Sequence, residues 1–123
     1  MTSQRFRQVK RAKKESFLFR EIANLFLQVS LDEPRVQGLF VSRVKLSPDK
    51  GRCTVFFHSL KGKPDFEEKL SILILYKPSM RSAIAKAMQS RYTPELTFAY
   101  DEDLEKQQKI DDLIEKLKKE GKL

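Results

Sequence analysis

Between Arg5 and Arg20 the chain sets seven cations, Arg5, Arg7, Lys10, Arg11, Lys13, Lys14 and Arg20, against a single acid, Glu15. An ordinary solvated helix face carries intervening acids, and this one has almost none. Guanidinium and ammonium groups so poorly balanced suit one chemistry: they neutralise phosphates and release the counterions condensed on a polyanion, with no base reading needed. Arg5, Arg7, Lys10, Arg11 and Lys14 are therefore the candidate ligands of a polyanion, which charge alone leaves as nucleic acid, RNA included, or an anionic membrane surface. A second basic group comprises Lys77, Arg81, Lys86 and Arg91. Lys77, Arg81 and Lys86 join the candidates, with an intramolecular pairing of Arg81 or Arg91 with Glu95 or Asp101 as the competing reading. Arg43 and Lys45, on the wet end of a strand, complete the set.

No other residue pattern points to chemistry. His58 is the single histidine and has no Ser, Cys or carboxylate partner at a catalytic spacing, so a structural or surface role is expected. Cys53 is the single cysteine, which excludes an internal disulfide or a Cys-rich zinc site and suits a reducing, cytoplasmic compartment. It reads as a small buried hydrophobe. Asp101, Glu102, Asp103 and Glu105 are acids placed where a helix dipole favours them, so they read as capping and not as a metal site. No catalytic residue, metal or cofactor is expected. The nine phenylalanines could stack on bases, but most fall on core stripes; Phe6 and Phe40 are the two whose exposure matters.

The whole chain has 123 residues, 25 Lys+Arg and 17 Asp+Glu, for a formal net charge of +8. The first twenty residues hold seven Lys/Arg and one Glu and so carry +6 of it. With 40% hydrophobic residues the chain can build a core, and its length suits a single domain over 1–123, frayed at 1–4 and 119–123. No apolar run is long enough to span a bilayer, and the basic N-terminus lacks the apolar core of a secretory signal.

The cations must be held by the elements around them. Arg5 to about Gln28 contains no Gly or Pro, and Leu18, Ile22, Leu25, Phe26 and Val29 recur at helical spacing, so a long amphipathic helix is expected, stopped before Pro34. Leu39–Leu46 and Arg52–His58 read as a β-hairpin around Ser47-Pro48-Asp49-Lys50-Gly51. Alternation puts Phe40, Ser42, Val44 and Leu46 on one face of its first strand. The second strand, apolar on both faces, reads as central. Asp65 and Glu68 fit a capping box opening a helix, Tyr76-Lys77-Pro78-Ser79 should break it, and a second helix should run from Ser79 to about Arg91, with Met80, Ile84, Ala87 and Met88 facing inward. Glu95–Tyr100 alternates as a strand. A last helix from about Asp101 to Glu120 would use Leu104, Ile110, Leu113, Ile114 and Leu117 as its apolar side. The crossover is long enough to return the third strand parallel to a neighbour.

The resulting order, α-β-β-α-α-β-α, is an α+β fold with a three-stranded sheet and helices on one face. It is the order of a type II KH domain, a single-stranded-RNA module. The domain is KH-like but has no GXXG loop: its glycines are Gly38, Gly51, Gly62 and Gly121, none in the expected helix–helix junction. Without glycine there, the backbone cannot approach a phosphate as in a standard KH site.

Glu33-Pro34-Arg35, Leu46-Ser47-Pro48-Asp49, Arg81-Ser82, Ala85-Lys86, Lys109-Ile110-Asp111-Asp112-Leu113 and above all Arg91-Tyr92-Thr93-Pro94-Glu95-Leu96-Thr97-Phe98 with Tyr100-Asp101 resemble the ribosome-binding factor A family over roughly Arg5 to Leu117. The resemblance implies a cytoplasmic, non-enzymatic factor that binds the free small (30S) ribosomal subunit. It would support late maturation of 16S rRNA, including processing of the 5′ end, and assembly in the cold. The partners implied are 16S rRNA and the free small subunit, with no membrane and a monomeric protein. The family tends to carry Ala-x-Gly at the interhelical kink, where this chain has Tyr76-Lys77-Pro78. The alternative reading is a protein-interaction module whose basic helix docks on an acidic ribosomal or GTPase partner.

Overall fold

The computed structural model describes residues 2–89 and 91–122. Helix α1 (Thr2–Asp32) is uninterrupted because neither Gly nor Pro falls within it, and it ends one residue short of Pro34. At 1.5 Å per residue it is about 46 Å long, more than the core can cover. Its buried residues lie in the second half: Leu18, Ile22 and Phe26, at i, i+4 and i+8. After a single 3-10 turn at Pro34–Val36 the chain enters the hairpin β1 (Leu39–Leu46) and β2 (Arg52–Ser59).

The sheet order is β1-β2-β3, with β2 central, antiparallel to β1 and parallel to β3 (Glu95–Tyr100). Helix α2 (Lys63–Met88) makes the parallel crossover and packs with α1 on one face of the sheet. Phe57, fully buried in β2, is the hub of that layer. Its ring lies 5.1 Å from Phe26, 5.9 Å from Phe66 and 5.3 Å from Phe98, which joins α1, α2 and β3 through one side chain. The expected architecture is therefore present, with four local differences.

The first is in β1. The register slips between Val41 and Arg43, so Ser42 is an extra residue in a β-bulge. One inserted residue reverses the alternation. Leu39 is buried before the bulge, Val44 and Leu46 after it, and Phe40, expected to share their face, is instead 43% exposed.

The second is the crossover. The break expected at Tyr76–Ser79 does not divide it: α2 continues as one helix with Pro78 inside, joining the two expected helices end to end. Proline removes one backbone donor and costs about 3 kcal/mol in a helix interior. Leu73 and Met80, on either side of it, are both buried, and each contributes about 1.5–3 kcal/mol, so packing offsets the loss. Ala87, expected on the inner face, is exposed.

The third is the start of α2. Its N-cap is Gly62 at φ +86°, with no side-chain cap. The Asp65 carboxylate accepts instead from Ser59 Oγ (2.5 Å) and Lys69 Nζ, clamping α2 to the end of β2.

The fourth is α3 (Glu102–Lys119), which has no buried residue. Ile110, Leu113 and Ile114, expected as the apolar side of this helix, are 40–56% exposed. Helical spacing reports that apolar residues share a face, not that this face meets the core.

Candidate nucleic-acid interface

The first half of α1 overhangs the body, and its charges follow the geometry of the anchored half. Arg7, Arg11 and Lys14 continue, at spacings of four and three residues, the line of Leu18 and Ile22. The face that packs on the sheet at its C-terminal end thus becomes a cationic face at its N-terminal end. There it looks across at the hairpin tip. Gln4, Arg7, Gln8 and Arg11 of α1, with Pro48, Asp49 and Lys50 of the tip, line a groove of about 500 Å³.

The tip is held rigid. Asp49 accepts from Ser47 Oγ (2.6 Å) and from the Gly51 amide (2.9 Å), and these bonds hold its carboxyl below the usual range. Lys50 takes the left-handed conformation at φ +61° to complete the turn. The one acid in the groove is thus committed to the turn, while Arg7, Arg11 and Lys50 remain without an ion pair among the described residues.

Glu15, the lone acid of the basic stretch, is committed to the sheet. Its Oε1 accepts from the Leu46 amide at 2.9 Å, at the end of β1. None of the seven cations from Arg5 to Arg20 makes an ion pair among the described residues. Arg5 points from another side of the helix and Lys10 lies 4.6 Å above the exposed Phe6 ring. Such a surface has unspent positive charge and a concave shape, and can attract a polyanion.

The other candidates divide. Arg43 is engaged within the fold: Nε donates to Asp101 Oδ2 at 3.0 Å, Nη2 reaches Asp103, and its guanidinium covers Phe56 at 4.0 Å. Arg81 donates to the backbone carbonyls of Thr93 (2.9 Å) and Pro94 (3.2 Å) and pairs with Glu95 at 3.2 Å, which is the intramolecular pairing weighed above. Lys77 is half-buried with its ammonium 5.0 Å from the Phe98 ring centroid. Lys45 and Lys86 are exposed. The basic groups at α1 and at α2 are thus separate, and Lys50, missed in the sequence because Lys50-Gly51 reads as turn chemistry, belongs with the first.

Asp101 ties the sheet to α3. Burial pushes its carboxyl up, but hydrogen bonds from Ser42, Arg43 and the Leu104 amide outweigh that and hold it below the ordinary value. The Leu104 bond is the helix cap expected of the acidic cluster. Cys53 is fully buried, and burial, assisted by Glu15, pushes its thiol up to about 11, so it stays protonated at neutral pH. His58 is buried between the rings of Phe40 (5.3 Å) and Tyr100 (5.6 Å), and its Nδ1 has no hydrogen-bond partner. Neither group is arranged as a nucleophile or base. Among the described residues no cluster of His, Cys, Asp and Glu could hold a metal ion, and no helix is long and apolar enough to cross a membrane.

The family model for ribosome-binding factor A matches residues 10–114, most of the chain. The chain belongs to the ribosome-binding factor A family. Ribosome-binding factor A of Borreliella burgdorferi is 33% identical over 113 residues, covering 91% of this chain and 94% of its own length; that of Nitrosococcus oceani is 32% identical, covering 93% and 87%. The crystal structure of ribosome-binding factor A from Thermus thermophilus superposes with a TM-score of 0.62 at 27% identity, over 73% of this chain and 94% of that one. The solution structure of a putative ribosome-binding factor A from Thermotoga maritima gives 0.65 at 29%, over 73% and 85%. A Thermus thermophilus ribosome-binding factor A model fitted into a cryo-EM map of a 30S complex superposes with a TM-score of 0.57 at 27% identity, over 70% and 89%. The ribosome-binding factor A match contains Lys10, Arg11, Lys14 and Lys50 of the basic face, and Arg5 and Arg7 precede it.

Proposed function

We propose that this chain binds the free 30S subunit by laying the basic arm of α1 and the hairpin tip against 16S rRNA, and that it supports late maturation of that RNA, including processing of its 5′ end. The observation that carries the reading is the cationic face itself: Arg7, Arg11 and Lys14 in line, Lys50 opposite, and the lone acid Glu15 bonded inward to Leu46. The Thermus thermophilus relative fitted into a 30S complex supports the subunit as the partner. The protein acts in the cytoplasm as a single copy and positions RNA without cleaving it. Zero-length and photochemical crosslinking in purified 30S subunits tests the reading: crosslinks from the arm and hairpin tip should fall on 16S rRNA, and an arm that crosslinks to no RNA would overturn it.

A second reading has its own observation. Phe6 and Val9 on the arm are 58% and 48% exposed, apolar surface that a phosphate backbone does not need. That favours a protein partner with an acidic, partly apolar docking site, either a ribosomal protein or a GTPase. Reversing Arg7, Lys10 and Arg11 to Glu separates the two, because RNA and protein crosslinks are counted independently.

A further inference from the structure

At the other end of the molecule, Tyr92 stands 73% exposed in the loop between α2 and β3. An exposed aromatic ring is ordinary by itself, but this loop is fastened. Arg81 Nη2 and Nε donate to the carbonyls of Thr93 and Pro94, and Pro94 is fully buried, so the two residues after Tyr92 are bolted to α2. The ring is presented on a rigid support. Arg91 lies over one face of it, its guanidinium carbon 5.6 Å from the ring centroid.

Tyr92, Arg91, Arg81 and Ser82 line an open groove of about 480 Å³ that contains no carboxylate among its lining residues. That volume falls within the roughly 300–1,000 Å³ of small-ligand clefts. A flat π-face, a cation over the same ring and a hydroxyl in a groove free of acids match one ligand chemistry: an unpaired nucleobase stacked on the ring's other face with its phosphate against the guanidinium. A duplex would not fit this recognition, because its bases are stacked on each other and cannot reach the ring.

We propose that Tyr92 stacks an unpaired base of single-stranded RNA, with Arg91 holding the adjacent phosphate. The site rests on the reading of the protein as an rRNA-binding factor and adds a second contact, specific for single strands, to the duplex-tolerant basic arm. It also gives the α2–β3 loop a role that the fold does not require of it.

The chain contains no tryptophan, so Tyr92→Trp places one fluorophore at the site. Titration with a short single-stranded oligoribonucleotide should quench that emission, and the duplex of the same sequence should not. Against the wild-type protein, Tyr92→Ala should weaken single-strand binding about tenfold or more with duplex binding and melting temperature unchanged, and Tyr92→Phe should restore it. Unchanged emission, or equal single-strand affinity of wild type and Tyr92→Ala, while wild type still binds 30S subunits, overturns the stacking site alone. Failure of the wild type to bind subunits, single strand and duplex overturns the rRNA reading, and the site with it.

Discussion

Glu15 and Leu46 are joined by a hydrogen bond from the Leu46 amide to the Glu15 carboxylate, at 2.9 Å. This contact does two things. It gives a partner to a buried strand-end donor, since Leu46 is 1% exposed, and it commits the only acid of the basic stretch of α1 to the sheet. Glu15→Ala leaves the amide unsatisfied and should destabilise the fold by about 1–3 kcal/mol in denaturant unfolding. Glu15→Gln keeps an acceptor and should recover most of the loss. Equal stability of wild type and Glu15→Ala would show that another group satisfies Leu46.

Arg43 should matter more to folding than to RNA. Arg43→Ala strips Asp101 of an ion pair and uncovers Phe56. It should lower the thermal midpoint by several degrees while changing 30S affinity less than Arg11→Ala does. Affinity loss in Arg43→Ala larger than in Arg11→Ala, with no change in midpoint, would return Arg43 to the interface.

Asp101 gives the protein an acid limit. Its carboxyl titrates below the ordinary value of 3.8 in the folded state. A depressed folded value means that its contribution to stability is complete above the unfolded value and is lost as pH falls through the folded one. Stability should therefore fall below about pH 4. Asp101→Asn should flatten that part of the profile and be less stable at neutral pH; an unaltered profile would show that Asp101 is not the group responsible.

Pro78 tests how α2 holds together. Pro78→Ala restores the missing donor, and the gain in stability should approach, without exceeding, about 3 kcal/mol. Thermal unfolding reads it directly. A destabilised variant would mean that the helix needs the proline's geometry to place both Leu73 and Met80 in the core.

The apolar face of α3 should be dispensable for folding. Replacing Ile110, Leu113 and Ile114 together with Gln removes no buried contact. The change in stability should stay within about 0.5 kcal/mol per site. A loss of several kcal/mol would show that this face packs on the body in solution.

Much of this was legible in the residues, and the gaps have physical causes. The hairpin, the central β2 and the anchored stripe of Leu18, Ile22 and Phe26 follow from period-2 and period-3.6 patterning, and the parallel β3 from the length of the crossover. Alternation misplaced Phe40 because a serine at position 42 looks the same in a regular strand as in a bulge. The proline rule overstated the break at Pro78, since tertiary burial on both sides outweighs one lost hydrogen bond. Asp65 matched a capping pattern, but its carboxylate was claimed by Ser59 and Lys69, a contact between elements. The cationic stretch was legible as charge. That Arg7 and Arg11 face Lys50 across a groove, while Arg43 and Arg81 are engaged within the fold, depends on contacts between residues far apart in the chain.

The most direct test of the basic face is the affinity of the protein for purified 30S subunits as salt is raised. With roughly four to seven phosphates neutralised by the arm and Lys50, log affinity should fall linearly with log salt. Binding should weaken about 10²- to 10⁴-fold between roughly 50 and 200 mM. Reversing Arg7, Arg11 and Lys50 to Glu should remove most of both the affinity and the slope. An affinity that hardly changes with salt, or that survives the triple reversal, would contradict the assignment of this face to ribosomal RNA.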